Sequence, residues 1–328
     1  MKEHAVKKDA LKDKLPALAP LVLTIAAVAV TGWFVGETAR TAWGQLVAAG
    51  PRLDWRLLGL AGFVYLIALA PMAWYWRRVV AAIDRPVDWG PLLAAYYAGH
   101  LGKYVPGKAM VVVLRTAMLR SDNRDTGRLA VSVLVETLTM MATGGAIAAG
   151  LLLAGIAKGS DSNWLLVVAV AVAGVAAAPT LPPLLRLIIQ RVSKTNEPAK
   201  RLSWRLTAVG WLAAGTTWIG LAASLWLIIA GCGGEAPLSL ATGRVVLLAT
   251  TLPYVAGFLS LVPGGFVVRD ALMLQLLAGT VGSGAALAAA AAARLVWIAA
   301  ELGIYGILVG VRRVGATRRS NAHTADAE

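Results

Sequence analysis

Apolar residues fall in nine blocks, at about 16–35, 56–80, 91–119, 129–156, 164–189, 207–231, 240–262, 266–281 and 284–310. Most are about twenty residues long, enough as helix to cover a hydrocarbon core of about 30 Å. None alternates with the two-residue period of a half-buried strand, so the pattern predicts helices throughout. Trp33, Trp74, Trp76, Trp89, Trp164 and Trp204 sit near block ends, where an indole prefers the headgroup level. Small residues crowd two interiors, in Gly144-Gly145-Ala146 and from Ala285 to Ala293, and they allow helices in lipid to approach closely.

Charge between the blocks orients them. Basic residues cluster before the first block, at Arg77, Arg78 and Arg85, at Arg120, Arg124 and Arg128, from Arg186 to Arg205, and at Arg312, Arg313, Arg318 and Arg319. The connections 158–163 and 231–239 carry almost none. If basic segments stay in the cytoplasm, both ends of block 91–119 are cytoplasmic. A simple span cannot satisfy that, but a re-entrant hairpin can. Arg40, Arg52 and Arg56 run against the scheme, partly balanced by Glu37 and Asp54. The reading is an all-α polytopic transmembrane helical bundle of about eight spans with one or two re-entrant or broken helices. Residues 1–15 form a cytoplasmic N-terminal tail, 16–312 the transmembrane domain and 313–328 a cytoplasmic C-terminal tail, both tails mobile. The first block is long enough to span, so it reads as a retained helix rather than a cleaved signal.

Composition agrees with lipid as the solvent. Of 328 residues 58% are hydrophobic and 15% charged, against about 25% charged in an average soluble domain, and mean hydropathy is +0.70. The net charge of +14 lies in short inter-block segments rather than along one stripe, which favours anionic headgroups over nucleic acid as partner. A lone Cys232 excludes an intramolecular disulfide. Of three histidines only His100 lies among the blocks, so neither a metal centre nor a cofactor is expected.

Two strings interrupt the blocks. Leu101-Gly102-Lys103-Tyr104-Val105-Pro106-Gly107-Lys108 precedes an apolar turn ending at Arg115, and Val262-Pro263-Gly264-Gly265 precedes Arg269-Asp270-Ala271. Both share Val-Pro-Gly and an Arg two residues before an Ala. Pro and Gly oppose a continuous helix, and interrupted hydrophobic segments at corresponding points of two halves point to a transporter site. Pro suits the first position of a helix, whose free N–H groups favour an anion. Lys103, Pro106, Gly107, Lys108, Arg115, Pro263, Gly264, Gly265 and Arg269 are therefore the candidate substrate-binding residues, the arginines able to grip a phosphate in bidentate fashion. The alternative is ordinary surface loops, with lysines snorkelling to headgroups.

Among the acids, Glu136, Asp270 and Glu301 are embedded. Glu136 lies about 12 Å along its helix from Arg128, too deep to reach water easily. Arg294 and Glu301 share one face of the last helix but stand about 10 Å apart along it, so each calls for a partner on another helix. These four either form structural ion pairs or couple charge to transport, one acid carrying a proton or balancing the cations.

With these residues on the page, the chain resembles the flippase-like family of lysylphosphatidylglycerol synthase transmembrane regions. The resemblance rests on the 101–108 string with Arg115, on Glu136, and on Val262 to Gly265 with Arg269-Asp270-Ala271, and it extends from about 15 to 312. It implies an integral protein of a bacterial cytoplasmic membrane that moves phospholipids or other amphipathic lipids between leaflets or membranes. Longer members carry a soluble aminoacyl-transferase domain for which these residues leave no room, so lipid lysylation and enzymatic activity are not expected. The second motif usually has Glu after its Arg; here Asp270 is shorter by one methylene. The expected partners are membrane lipids, anionic phospholipid first, with a partner enzyme or homo-oligomer left open. A membrane-embedded transferase acting on a lipid-linked substrate and a non-catalytic scaffold are the alternative functions. The transferase lacks a cluster of acids, histidines or metal ligands at one depth.

Overall fold

The computed structural model of the chain describes residues 2–105, 109–120, 124–154, 162–192, 203–259 and 266–325. These residues form helices α1 (Lys2–Ala49), α2 (Trp55–Ile83), α3 (Trp89–Gly102), α4 (Ala109–Leu119), α5 (Thr126–Leu153), α6 (Ser162–Ala177), α7 (Pro182–Val192), α8 (Trp204–Gly231), α9 (Leu240–Leu259), α10 (Phe266–Val281) and α11 (Ser283–Ala325). The described residues contain no strand. Five helices, α2, α5, α8, α9 and α11 through Val311, are long and apolar enough to cross a membrane. The protein is a polytopic helical membrane protein.

At the centre α2 and α8 run antiparallel. Gly210 lies against Tyr75, Gly220 against Ala68 and Gly231 against Leu57 and Leu58, so small residues on one helix receive larger ones on the other. Ser224 Oγ donates to Ala61 O at 2.8 Å and accepts from Trp297 Nε1 at 3.0 Å, joining α11 to the pair.

Block 91–119 divides into α3 and α4, about 21 Å and 16 Å long and each too short to cross alone. They are antiparallel, since Gly99 lies by Arg115 and Gly102 by the backbone of Met110 and Val111. Their base is clamped by Arg124, which donates to Asp84 Oδ2, Arg85 O and Pro86 O at 2.7–2.9 Å. Asp84 caps α2, so the hairpin leaves from and returns to the end of the bundle where α2 finishes and α5 begins. Its tip meets α2 at Tyr65, which Lys103 Nζ reaches at 3.0 Å.

Helices α9 and α10 make a second hairpin from the opposite end. α9 starts beyond Ala236, whose carbonyl is held by Trp226 of α8, and α10 turns at Gly282 (φ +83°) into α11, whose Ala285 neighbours Gly234. Tyr254 packs edge-on to Trp218, near the middle of α8. Blocks 240–262 and 266–281, expected to be separate crossings, are the antiparallel arms of this hairpin, which begins and ends at one end of the bundle, and α9 is long and apolar enough to cross.

Three other expectations change. Block 164–189 is not one continuous helix but α6, a single 3-10 turn at Ala178–Thr180 and α7, broken where Pro179, Pro182 and Pro183 remove N–H donors. Helix α1 begins at Lys2 and α11 runs to Ala325, so both helices extend into the stretches 1–15 and 313–328 read as tails. Trp33, Trp74, Trp89 and Trp204 are exposed, as anchors should be, but Trp76 is fully buried and donates to Ser132 Oγ at 3.1 Å. It faces inward because α2 continues past it to Ile83.

A Cβ on Gly102 would lie 2.9 Å from the Met110 backbone, whereas one on Gly303 would meet nothing within 4 Å. Gly102→Val should therefore cost ~1–3 kcal/mol through overpacking, read as a lower midpoint of thermal unfolding in detergent, with Gly303→Val near wild type. Equal midpoints would contradict the close α3–α4 crossing.

Candidate functional site

Described residues of both hairpins line a cavity of about 560 Å³. Residues beside both interruptions line it: Tyr104 and Ala109 at the first, Phe258 and Arg269 at the second. Lys103, Arg115, Glu136 and Arg269, predicted from widely separated stretches, line this one cavity. Pro106, Gly107, Lys108, Pro263, Gly264 and Gly265 lie outside the described residues.

Each cation is held differently. Arg115 of α4 donates from Nη1 to Glu136 Oε2 of α5 at 2.6 Å, both side chains almost wholly buried. Its guanidinium lies 4.4 Å from the Tyr96 ring centroid and 4.8 Å from that of Trp76. The missing Cβ of Gly99 makes room for this side chain, since a methyl there would overlap it. Lys103 reaches Glu301 Oε1 of α11, and Tyr65 of α2 donates to the same oxygen. Three helices are therefore tied at one carboxylate.

Arg269 has no such arrangement. It is 6% exposed, and its Nε and Nη2 have no hydrogen-bond partner among the described residues. It also forms no ion pair with a described carboxylate, since Asp270, next in sequence, pairs with Arg294 of α11, with Arg294 Nε at 3.3 Å from Oδ1. Aromatic faces hold it instead, Tyr254 at 4.3 Å and Trp297 at 5.8 Å, a contact that orients a guanidinium without neutralising it. The cavity thus has three cations on its wall and two carboxylates to balance them, Glu136 and Glu301. Among the described residues Arg269 is the cation left without a carboxylate.

In each half, an ion pair ties the second arm of the hairpin to the next helix: Arg115 with Glu136, and Asp270 with Arg294. The signs are exchanged between halves. Together with hairpins that enter from opposite ends, this is the arrangement of an inverted repeat. The family model described as lysylphosphatidylglycerol synthase TM region matches residues 21–301, a stretch containing both hairpins and every ion pair of the site. The chain belongs to this family. No curated protein matches it. Within this family's region, the sequence motifs pointed to the charges but not to the aromatic wall. Tyr65, Trp218, Tyr254 and Trp297 lie within apolar blocks, away from their ends, and that placement is the signal that separates wall from interfacial anchor.

Removing one member of a buried pair strands the other. Glu136→Gln should lower unfolding stability by about 3–5 kcal/mol, whereas the double change Arg115→Met with Glu136→Met should recover most of it. Chemical denaturation in detergent reads both, and a Glu136→Gln protein within ~1 kcal/mol of wild type would contradict a dry pair.

Proposed function

We propose that the protein is a flippase-like transporter that moves phospholipid or another amphipathic lipid between leaflets or membranes, with an anionic headgroup held in the cavity. The uncompensated, buried Arg269 carries this reading. A buried cation without a counter-charge is costly, and an entering phosphate offsets that cost with charge-assisted hydrogen bonds to the guanidinium. The cavity lies beside the start of α10, where helix N–H groups and dipole also favour an anion.

Lipid rather than a free anion is favoured by the cavity wall. Val113 of α4 and Leu134 of α5 line the cavity and are 44% and 46% exposed. Acyl chains can leave between them into the bilayer while the headgroup stays inside. Glu136 and Glu301 are engaged by cations, so neither is placed as a free general base for a transferase, and we read the protein as a transporter rather than an enzyme.

In this reading α3–α4 and α9–α10 are re-entrant hairpins from opposite faces of a bacterial cytoplasmic membrane. The crossing passes are α1, α2, α5, α6 with α7, α8 and α11. The end rich in arginine, with Arg77, Arg78, Arg85, Arg124 and Arg128, faces the cytoplasm, and both termini lie on that side. Rocking of one half against the other opens the shared site to each leaflet in turn.

The test is translocation of a fluorescent anionic phospholipid in reconstituted vesicles, followed by quenching of the outer leaflet. Arg269→Gln should slow it at least ~10-fold, about 1.4 kcal/mol of barrier, with unchanged size-exclusion behaviour. Arg269→Lys, which keeps the charge but not the fork, should fall between. Wild-type rates in Arg269→Gln would overturn the proposal.

A further inference from the structure

Glu301 is fully buried, and its two oxygens are unequally used. Oε1 accepts from Lys103 and Tyr65, and Tyr104 also hydrogen-bonds the carboxylate. His100 lines the cavity wall, its Nδ1 is 3.8 Å from Glu301 Oε1, and its Nε2, like Glu301 Oε2, is buried without a partner among the described residues. An imidazole so placed can relay a proton between the cavity and the carboxylate once its Nδ1 closes to hydrogen-bond distance. A purely structural pair needs neither a buried unpartnered carboxylate oxygen nor an unpartnered imidazole nitrogen beside it.

We propose that Glu301 is a proton site coupled to the headgroup site, so that one proton travels with one anionic headgroup. This rests on the transport reading above and adds its energy source. With Glu301 ionised, Lys103 is neutralised and Arg269 alone is in excess. A proton on Glu301 releases Lys103, so two cations face the headgroup and an anion binds more tightly. By linkage the headgroup in turn favours proton uptake. The proton arrives from water on one side, passes His100, resides on the Glu301 carboxyl and leaves to the other side after the headgroup has gone. No other bond is made or broken.

The surroundings of Glu301 fit this role. From α2 it meets Tyr65, and from α3 and the turn after it His100, Lys103 and Tyr104. α9 contributes Tyr254 and α10 contributes Arg269, both acting through the charge field of the same cluster. Asp270 is tied to Arg294, and Tyr305 lies one turn further along α11. α8 presents Thr217 and Ser224. On α1, Glu37 and Arg40 pair with each other at 2.6 Å and are exposed. Glu301 is therefore the carboxylate whose proton alters the charge seen by the cavity without leaving it uncompensated.

The primary test needs no variant. Purified wild-type protein in weakly buffered detergent near pH 7 is mixed with short-chain phosphatidylglycerol while a pH dye is followed. Uptake of up to one proton per bound lipid is expected, with binding that weakens by up to ~10-fold per pH unit as pH rises. In vesicles, a pH gradient should speed movement of the fluorescent lipid in wild type and not in Glu301→Gln. That variant should bind phosphatidylglycerol at alkaline pH as wild type does at acid pH. Lipid binding without proton uptake, or gradient stimulation that survives Glu301→Gln, overturns the proton site and leaves lipid transport standing. Absence of any lipid binding or movement by wild type overturns both.

Discussion

An interrupted helix inside a membrane must find its hydrogen-bond and charge partners within the protein, because lipid supplies none. That constraint explains the architecture around both Val-Pro-Gly strings. Each short hairpin is sheltered by longer helices and pinned near its interruption. Lys103, at the end of α3, is pinned to α2 and α11 through Tyr65 and Glu301. On α10, Asp270 is pinned to α11 through Arg294. The base of the first hairpin is clamped by Arg124. With those ties in place, the unpaired Arg269 can be held on the rings of Tyr254 and Trp297, and the fold bears an unbalanced charge that an isolated helix in lipid would not.

The balance of charge gives the site its chemistry. Were every cation paired, the cavity would be a neutral seam with no preference for an anion. In the proposed cycle Arg269 in excess attracts a headgroup, and Lys103 released from Glu301 strengthens that attraction. Arg115 and Glu136 hold the corresponding position in the other half closed. The two halves are thus alike in backbone arrangement and unlike in electrostatic state, which is what a single conformation of an alternating transporter requires.

Much of this was legible in the chain because helices in lipid announce themselves by length and apolarity. The blocks that became α2, α5 and α8 lie close to the observed limits, and the break before Pro106 followed from glycine, proline and two lysines in one apolar stretch. The family was legible in the same motifs. Pairings were not, since Lys103 and Glu301 are 198 residues apart and helical periodicity relates only neighbours on one helix. Nor was the second hairpin, because charge counting reports only on charged connections. The aromatic wall escaped for a different reason: Trp218 and Trp297 carry only a mid-block placement that charge motifs pass over, while Trp76 sits near a block end like an interfacial anchor and only packing distinguishes it.

The central claim is that two interrupted helices from opposite ends meet over a cavity that holds a lipid by its headgroup. A cryo-electron microscopy map of the full chain in nanodiscs of anionic phospholipid tests this most directly. Headgroup density is expected against the guanidinium of Arg269, continuous with acyl-chain density passing between Val113 and Leu134. Lipid density confined to the outer surface of the bundle, with no headgroup beside Arg269, would contradict it.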